Sequence, residues 1–385
     1  MRKSKFFFVL YKIKRILIIK SILRVPWLLH FLKPTPSRVH YYLTAQCNSR
    51  CIMCDVWKNQ PKTETEISLH TALHLIHELP KLGIKELSIT GGEPLTQKTK
   101  LMTLLKKANS HNIYTHFATN GFLLDKEFLD EYEQCGGGHI HVSLDGINEV
   151  HDKMRGVTGA YQKTLHALQQ YTSGNYKKVR LKVGIIFSPY NLSSVLDVVK
   201  KMISFNIPIT IQPLNQLLEH TTNKNDASNW YFSSEQKEQV EQTIQNLIFL
   251  KKNHAGLIIN DIQHLQLILT FSLRNIGSTY TTISATAIKT PMATKTKNTR
   301  RSRCLVGFDT VRISAQGGVF TCHKQKPIGN IAKKSFTRIL KGKEWHEHLF
   351  RILNCTDNCS TATCVYNKPL RDLFWNSLQY IKFFF

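Results

Sequence analysis

Acidic side chains are scarce in this chain. It carries 26 Asp and Glu against 52 Lys and Arg, a formal net charge of +26, and no carboxylate side chain occurs from Met1 to Cys54. A surface this unbalanced attracts anions, either nucleic acid or acidic lipid headgroups. Long uncharged runs are also missing. Arg2, Lys3, Lys5, Lys12, Lys14, Arg15, Lys20, Arg24 and Lys33 interrupt the apolar N-terminal stretches, so none reaches the ~20 residues that a bilayer-spanning helix needs. No small-residue cleavage site follows a continuous apolar segment, which argues against a secretory signal and for a cytoplasmic protein. What is present suffices for a packed core: 42% of the residues are hydrophobic and 20% charged, which excludes a largely disordered chain. A length of 385 residues suits one large catalytic domain with appendages.

On a helical wheel Lys5, Lys12, Arg15, Lys20 and Arg24 share about half the circumference and only Lys14 lies opposite. With Trp27 and several Phe and Leu on the other side, residues 1–36 read as a basic amphipathic segment kinked at Pro26. Such a segment suits the interface of an anionic membrane, at the inner face of a cytoplasmic membrane. The aromatic tail at 371–385 could add a second contact. The plainer alternative is packing on the protein body with the Lys and Arg stems reaching to water.

Beyond Pro34 and Pro36 short apolar strands alternate with helices. Strands are predicted at Val39 to Thr44, Glu86 to Thr90, Ile113 to Thr119, His139 to Leu144, Val179 to Ser188 and Ile207 to Gln212. Helices are predicted at Leu69 to Leu82, Lys98 to Ser110, Lys126 to Gln134, Tyr161 to Tyr171 and Leu192 to Phe205. Repeated βα units imply an α/β fold with a parallel sheet, and functional groups gathered at the C-terminal ends of its strands. The expected divisions are 37–220 for this core, 221–303 for a helical connection and basic linker, and 304–370 for a small cysteine-rich module.

Nine cysteines fall into two tight groups with Cys135 apart, and in a chain of this length tight groups read as metal sites in a reducing compartment. The first, Cys47-Asn-Ser-Arg-Cys51-Ile-Met-Cys54, follows the first predicted strand. Three thiolates on one loop can ligate three irons of a [4Fe-4S] cube and leave the fourth open for chemistry. Zinc competes, although a structural zinc site closes with four ligands. Three further motifs sit at successive strand ends: Gly91-Gly92-Glu93-Pro94, Thr119-Asn120-Gly121, and Ser143-Leu144-Asp145-Gly146 with His151 and Arg155. Each has an ordinary alternative, as a strand exit, a turn pair or a helix cap. Cys135 beside three glycines reads as a core or turn cysteine, and His139 and His141 as structural residues rather than acid-base catalysts.

Together these motifs resemble the radical S-adenosylmethionine (radical SAM) superfamily over about Val39 to Leu214. The resemblance implies a partial (β/α)6 TIM-like barrel. It implies that Cys47, Cys51 and Cys54 hold a catalytic [4Fe-4S] cluster whose open iron is chelated by S-adenosylmethionine, and that a 5′-deoxyadenosyl radical abstracts hydrogen from a substrate C–H bond. Gly91, Gly92, Glu93 and Pro94 would then line the cofactor, with Glu93 facing its ammonium. Ser143 and Arg155 would hold its carboxylate, and Asn120 its ribose. An electron donor such as flavodoxin or ferredoxin is implied as partner.

The second group, Cys304, Cys322, Cys355, Cys359 and Cys364, resembles the SPASM or shorter twitch extension of such enzymes, in the spacing from Cys304 through Gly317 to Cys322 and in Ile328-Gly329-Asn330-Ile331. It departs from the full extension in having fewer cysteines. One auxiliary [4Fe-4S] cluster is therefore expected, on Cys304, Cys322, Cys355 and either Cys359 or Cys364, with structural zinc as the alternative. The basic N-terminus tilts the substrate towards a lipid or membrane-linked molecule, with a peptide-modifying maturase as the alternative. A cysteine-rich nucleic-acid-binding protein, the reading from another class, lacks a recognisable RNA-binding signature. Asp145, His323 and Tyr366 are candidates for a substrate base.

Overall fold

Six strands follow one another in chain order across a parallel sheet. They are β1 (Arg38–Tyr42), β2 (Glu86–Thr90), β3 (Tyr114–Thr119), β4 (Gly138–Ser143), β5 (Val179–Phe187) and β6 (Ile209–Pro213), each in parallel register with the next. The computed structural model describes residues 14–15, 17–32, 34–58, 63–214, 231–273, 306–322 and 325–355. The intervening helices are α1 (Leu69–Glu78), α2 (Lys98–Ser110), α3 (Lys126–Gln134), the pair α4 (Glu149–Arg155) and α5 (Ala160–Ser173), and α6 (Val195–Ser204). Two more, α7 (Lys237–Asn253) and α8 (Ile262–Leu273), follow β6. Every predicted strand is present, with ends shifted by a residue or two. Leu43, expected within β1, lies just past it, yet its N–H still donates to the Thr90 carbonyl at 2.7 Å.

β7 (Thr310–Ile313) joins the other side of β1 in parallel, and β8 (Gly318–Phe320) and β9 (Gly329–Asn330) continue antiparallel from it. The resulting sheet runs β6-β5-β4-β3-β2-β1-β7-β8-β9. Among the described residues β6 and β9 do not pair, so the barrel is partial. The expected hairpin around Gly317-Gly318 is the β7–β8 turn, where Gly317 takes φ +83°.

The two sheet faces differ in chemistry. Val39, Tyr41, Leu87, Ile89, Phe117, Ile140, Val142, Leu181 and Val183 are buried against the helices. Phe117 meets Phe128 and Tyr132 of α3 at ring-centroid distances of 5.6 and 5.9 Å. Residues one step out of phase, from Arg38 and His40 through Glu86, His116, His139 and His141 to Lys182, face the concave side. Stability therefore comes from the convex, helix-covered layer.

The helix expected from Phe336 to Arg351 is two helices, α9 (Phe336–Leu340) and α10 (Lys343–Leu353). Gly342, in extended conformation, breaks the run and opens α10. Ser335 caps α9, and the buried carboxylate of Glu78 on α1 accepts the N–H groups of Phe336 (2.8 Å) and Thr337 (3.2 Å). That bond fixes the C-terminal module to the barrel through an otherwise orphaned helix start. Residues 17–24 are helical, and Ile22 and Leu29 are fully buried. His30 stacks against Phe350 of α10 at 4.7 Å. The N-terminal segment so far as described therefore packs on the body, as the plainer sequence reading holds, while Leu17, Trp27 and Phe31 stay outside at 50%, 58% and 72% exposure. No described helix is long and apolar enough to cross a membrane.

Replacing Phe117 by Ala should leave a cavity between β3 and α3 and cost about 3–5 kcal/mol. The check is a chemical-denaturation midpoint, shifted well below that of wild type with an unchanged slope.

Candidate active site at the strand ends

The cysteine loop is docked as an extension of the sheet. Past β1 and β2 the ladder continues, with the Gly92 N–H donating to the Thr44 carbonyl (2.7 Å) and the Glu93 N–H to the Gln46 carbonyl (2.8 Å). The two glycines are what allow this approach. A Cβ on Gly91, whose φ is +147°, would lie 2.2 Å from the Thr44 oxygen, and one on Gly92 would lie 2.1 Å from the Gln46 oxygen. The other half of the loop pairs with the end of α4: Arg50 N–H donates to the Arg155 carbonyl (2.9 Å) and Ile52 N–H to that of Met154 (3.1 Å). Gly156, at φ +63°, completes the fit, because a Cβ there would meet the Arg50 oxygen at 2.2 Å. Trp57 donates through Nε1 to the Cys51 carbonyl (3.1 Å), and Arg50 and Lys58 lie over its ring.

Glu93 is buried at this junction. Its Oε1 accepts from Thr119 Oγ1 (2.8 Å) and Leu95 N–H (3.0 Å), and its Oε2 accepts from Asn120 N–H (2.7 Å). Burial pushes its carboxyl up to about 6, and these three donors oppose the rise. Pro94 opens the short turn that Glu93 caps. The side chain of Asn120 is engaged at both ends: Nδ2 donates to Asn48 Oδ1 (2.7 Å) in the cysteine loop, and Oδ1 accepts from Phe122 N–H (3.0 Å). The Thr-Asn-Gly turn therefore braces both Glu93 and the loop.

Ser143 ends β4 in register with Gly184. Two residues on, Asp145 is fully buried and pairs through Oδ2 with Arg155 Nη2 at 2.5 Å, while its Oδ1 accepts from Ile186 N–H (2.9 Å). His151 accepts from the Asp145 N–H through Nδ1 (3.1 Å), so that nitrogen carries no proton. Burial, aided by the nearby Arg155 charge, keeps the ring neutral. Arg155 Nη1 lies 3.6 Å from Cys51 Sγ. Burial works against the Arg155 charge, but Asp145 and Cys51 outweigh it and hold the guanidinium firmly protonated. Its buried Nε has no hydrogen-bond partner among the described residues. With its carboxylate occupied in this way, Asp145 is a structural anchor rather than a base. His323 and Tyr366 lie outside the described residues.

Burial pushes the Cys47 thiol up to about 12 and raises Cys54 as well, and neighbouring thiolates add to both shifts. Three thiolates crowded on one buried loop are unfavourable without positive charge between them, which is what a metal cluster supplies. Among the described residues no three His, Cys, Asp or Glu side chains converge on a single-ion position. The buried, unpartnered Arg155 Nε beside Cys51 is a ready donor for a carboxylate. Of the second group, Cys322 is half-buried and Cys355 exposed, while Cys304, Cys359 and Cys364 lie outside the described residues. Cys135 ends α3, with its Sγ directed at the Tyr132 carbonyl at 3.3 Å.

Several bracing residues carry no recognisable motif. Asn191 donates to the Asp145 carbonyl (2.7 Å) and that of Ile186 (2.6 Å), and Ser49 sits 3.2 Å from Cys51 Sγ. Gly156, directly after Arg155 in the sequence, belongs with them.

A partial α/β barrel with a cysteine loop beyond its first strand defines an iron–sulfur barrel protein. The radical SAM superfamily model matches residues 41–202, and the SPASM iron–sulfur cluster-binding domain model matches residues 304–365; the chain is a member of the radical SAM superfamily with a SPASM domain. The two domains bring a [4Fe-4S] cluster, S-adenosylmethionine and further iron–sulfur with them. Among curated proteins, Fe-coproporphyrin III synthase of Methanosarcina barkeri is 32% identical over 171 residues, 44% of this chain and 41% of that protein. PqqA peptide cyclase of Bradyrhizobium diazoefficiens is 25% identical over 172 residues, 44% of each chain. The chain thus spans less than half the length of these relatives. SuiB of Streptococcus suis shares the fold at a TM-score of 0.59 and 13% identity, over 82% of this chain and 68% of that one.

Gly92→Ala should force the Gln46 carbonyl away and loosen the cysteine loop. The expected result is a large loss of iron and sulfide bound after anaerobic reconstitution, with the far-ultraviolet dichroism of wild type; full iron binding by the variant would refute the docking role.

Proposed function

We propose that the protein is a radical SAM enzyme acting on a substrate C–H bond. The observation that carries this is the three-thiol loop docked on Gly91-Gly92-Glu93 with Arg155 pressed against Cys51. Cys47, Cys51 and Cys54 would hold the [4Fe-4S] cluster. When bound there, the cluster and S-adenosylmethionine supply a 5′-deoxyadenosyl radical able to abstract hydrogen. Glu93 keeps one lone-pair position for the cofactor ammonium, and Arg155 keeps Nε for its carboxylate, with Ser143 at the end of β4. The Asn120 side chain braces the loop through one bond at each end and keeps a second N–H for the cofactor ribose. Cys304, Cys322 and Cys355 with Cys359 or Cys364 would hold an auxiliary cluster, and flavodoxin or ferredoxin would supply electrons. Likeness to PqqA peptide cyclases supports a peptide substrate.

The test is reductant-dependent formation of 5′-deoxyadenosine by anaerobically reconstituted protein. Wild type should form it and Cys54→Ala should not; equal product from both would sink the reading.

A second reading, association with an anionic membrane surface and a membrane-linked substrate, is favoured by one observation. Trp27 and Phe31 form an exposed edge-to-face pair at 5.4 Å on a chain of strongly positive charge, and Leu17 is exposed as well. The protein should co-sediment with phosphatidylserine vesicles at low salt, and Trp27→Ala combined with Phe31→Ala should abolish this. Failure of the wild type to sediment removes the reading.

A further inference from the structure

The inner face of a closed barrel is ordinarily packed with Val, Ile and Leu. Here it is not. Ladder partners share a face, and that rule carries one side of the sheet from His40 through Ser88, His116 and His139 to Lys182, which is itself in register with His141. Glu86 is the one carboxylate that the concave face of β1 to β6 presents. It is committed to Arg38, with Nε at 2.8 Å and Nη2 at 2.5 Å from its Oε2. Lys182 faces the same space from β5, and its ammonium has no ion pair or hydrogen bond among the described residues. Arg312 on β7, opposite His40, adds a further cation to that face. Gly184 makes room for the His141 ring on this face, since a Cβ there would lie 2.0 Å from His141 Nε2.

The imidazoles do not make a metal site, because no three of them converge on an ion position among the described residues. Burial, and the Lys182 and Arg155 charges, hold His141 at about 3, so it is a neutral hydrogen-bonding group at neutral pH. Burial and the neighbouring Arg38 lower Lys182 to about 8, a cation held at a cost that an anion would relieve. A concave face with surplus positive charge and neutral donors fits an oxyanion.

We propose that this face, centred on Lys182 of β5 beside His141 of β4, is an anion-binding site, and that the substrate enters the barrel with a carboxylate or phosphate held there. The substrate role rests on the radical SAM reading above, whereas the anion site does not. Position supports the link: His141 lies two residues before Ser143, which ends β4 at the C-terminal edge of the sheet, the edge from which the cysteine loop leaves β1.

The experiment is calorimetric titration of the full-chain reconstituted protein with glutarate and, separately, inorganic phosphate in chloride-poor buffer. Saturable binding of one of them is expected, weakened about tenfold or more by Lys182→Gln and restored by Lys182→Arg. Because the whole surface is basic, Lys343→Gln, at an exposed position, serves as control and should bind as wild type does. Preference for glutarate points to a carboxylate substrate and preference for phosphate to a phosphorylated one; either supports the site. No saturable binding by wild type, or equal weakening by Lys343→Gln and Lys182→Gln, overturns it. Deoxyadenosine formation measured without anion on the same preparation reports on the radical reading alone, so failure of one is not mistaken for failure of the other.

Discussion

Close backbone contact is the constraint on which the site depends. A loop of three cysteines has no regular structure of its own to hold it, and buried backbone groups must find partners. Here they find them on two sides, from Gly92 and Glu93 beyond β2 and from Met154 and Arg155 at the end of α4. Both contacts are tighter than any side chain allows, which is why Gly91, Gly92 and Gly156 occupy them. The loop is thereby fixed to the sheet, and the sheet in turn is fixed by its helix-covered layer. Rigid elements carrying the loop ends are what a redox centre needs if its ligands are to stay in place.

Electrostatics follow from that packing. Burying three thiols, a glutamate and an arginine in one junction is costly unless each charge is answered. Glu93 is answered by three donors, and Arg155 by Asp145 and Cys51. His151 stays neutral and locks the Asp145 backbone instead. Burial still pushes Cys47 up to about 12, and the positive charge of a cluster held there would offset that cost.

Much of this was legible in the amino-acid sequence, for physical reasons. Alternation and short apolar runs mark strands whatever the tertiary context, and all six emerged in order. The cysteine spacing and the glycine motif are local patterns set by chemistry. The part that was not legible depends on pairing across strands. Gly91 and Gly92 read as glycines that let the backbone approach closely, but that the cysteine loop is what approaches them needed the pairing of β1 with β2. The bonds of Asn120 to Asn48 and Phe122 were not legible either. The break at Gly342 was hidden by continuous helical periodicity on either side. His139 and His141 were placed on a strand correctly, but their company, Lys182 from β5 and His116 from β3, requires the register.

That register explains how a barrel can be stable and still polar on its concave face. Each strand divides its residues between two faces, and the convex face alone takes Phe117, Ile140, Val142 and Val183 into the helix layer. Apolar burial scales with area removed from water, so a sheet covered on one side by six helices does not need its other face to be apolar. The concave face is then released from the demands of packing, and basic and imidazole side chains can stand there at the cost of some desolvation. Arg38 shows the limit of that freedom: where a second strong charge enters the face, Glu86 comes with it. Lys182 has no such companion among the described residues, and it is the cation of this face that an anion would answer.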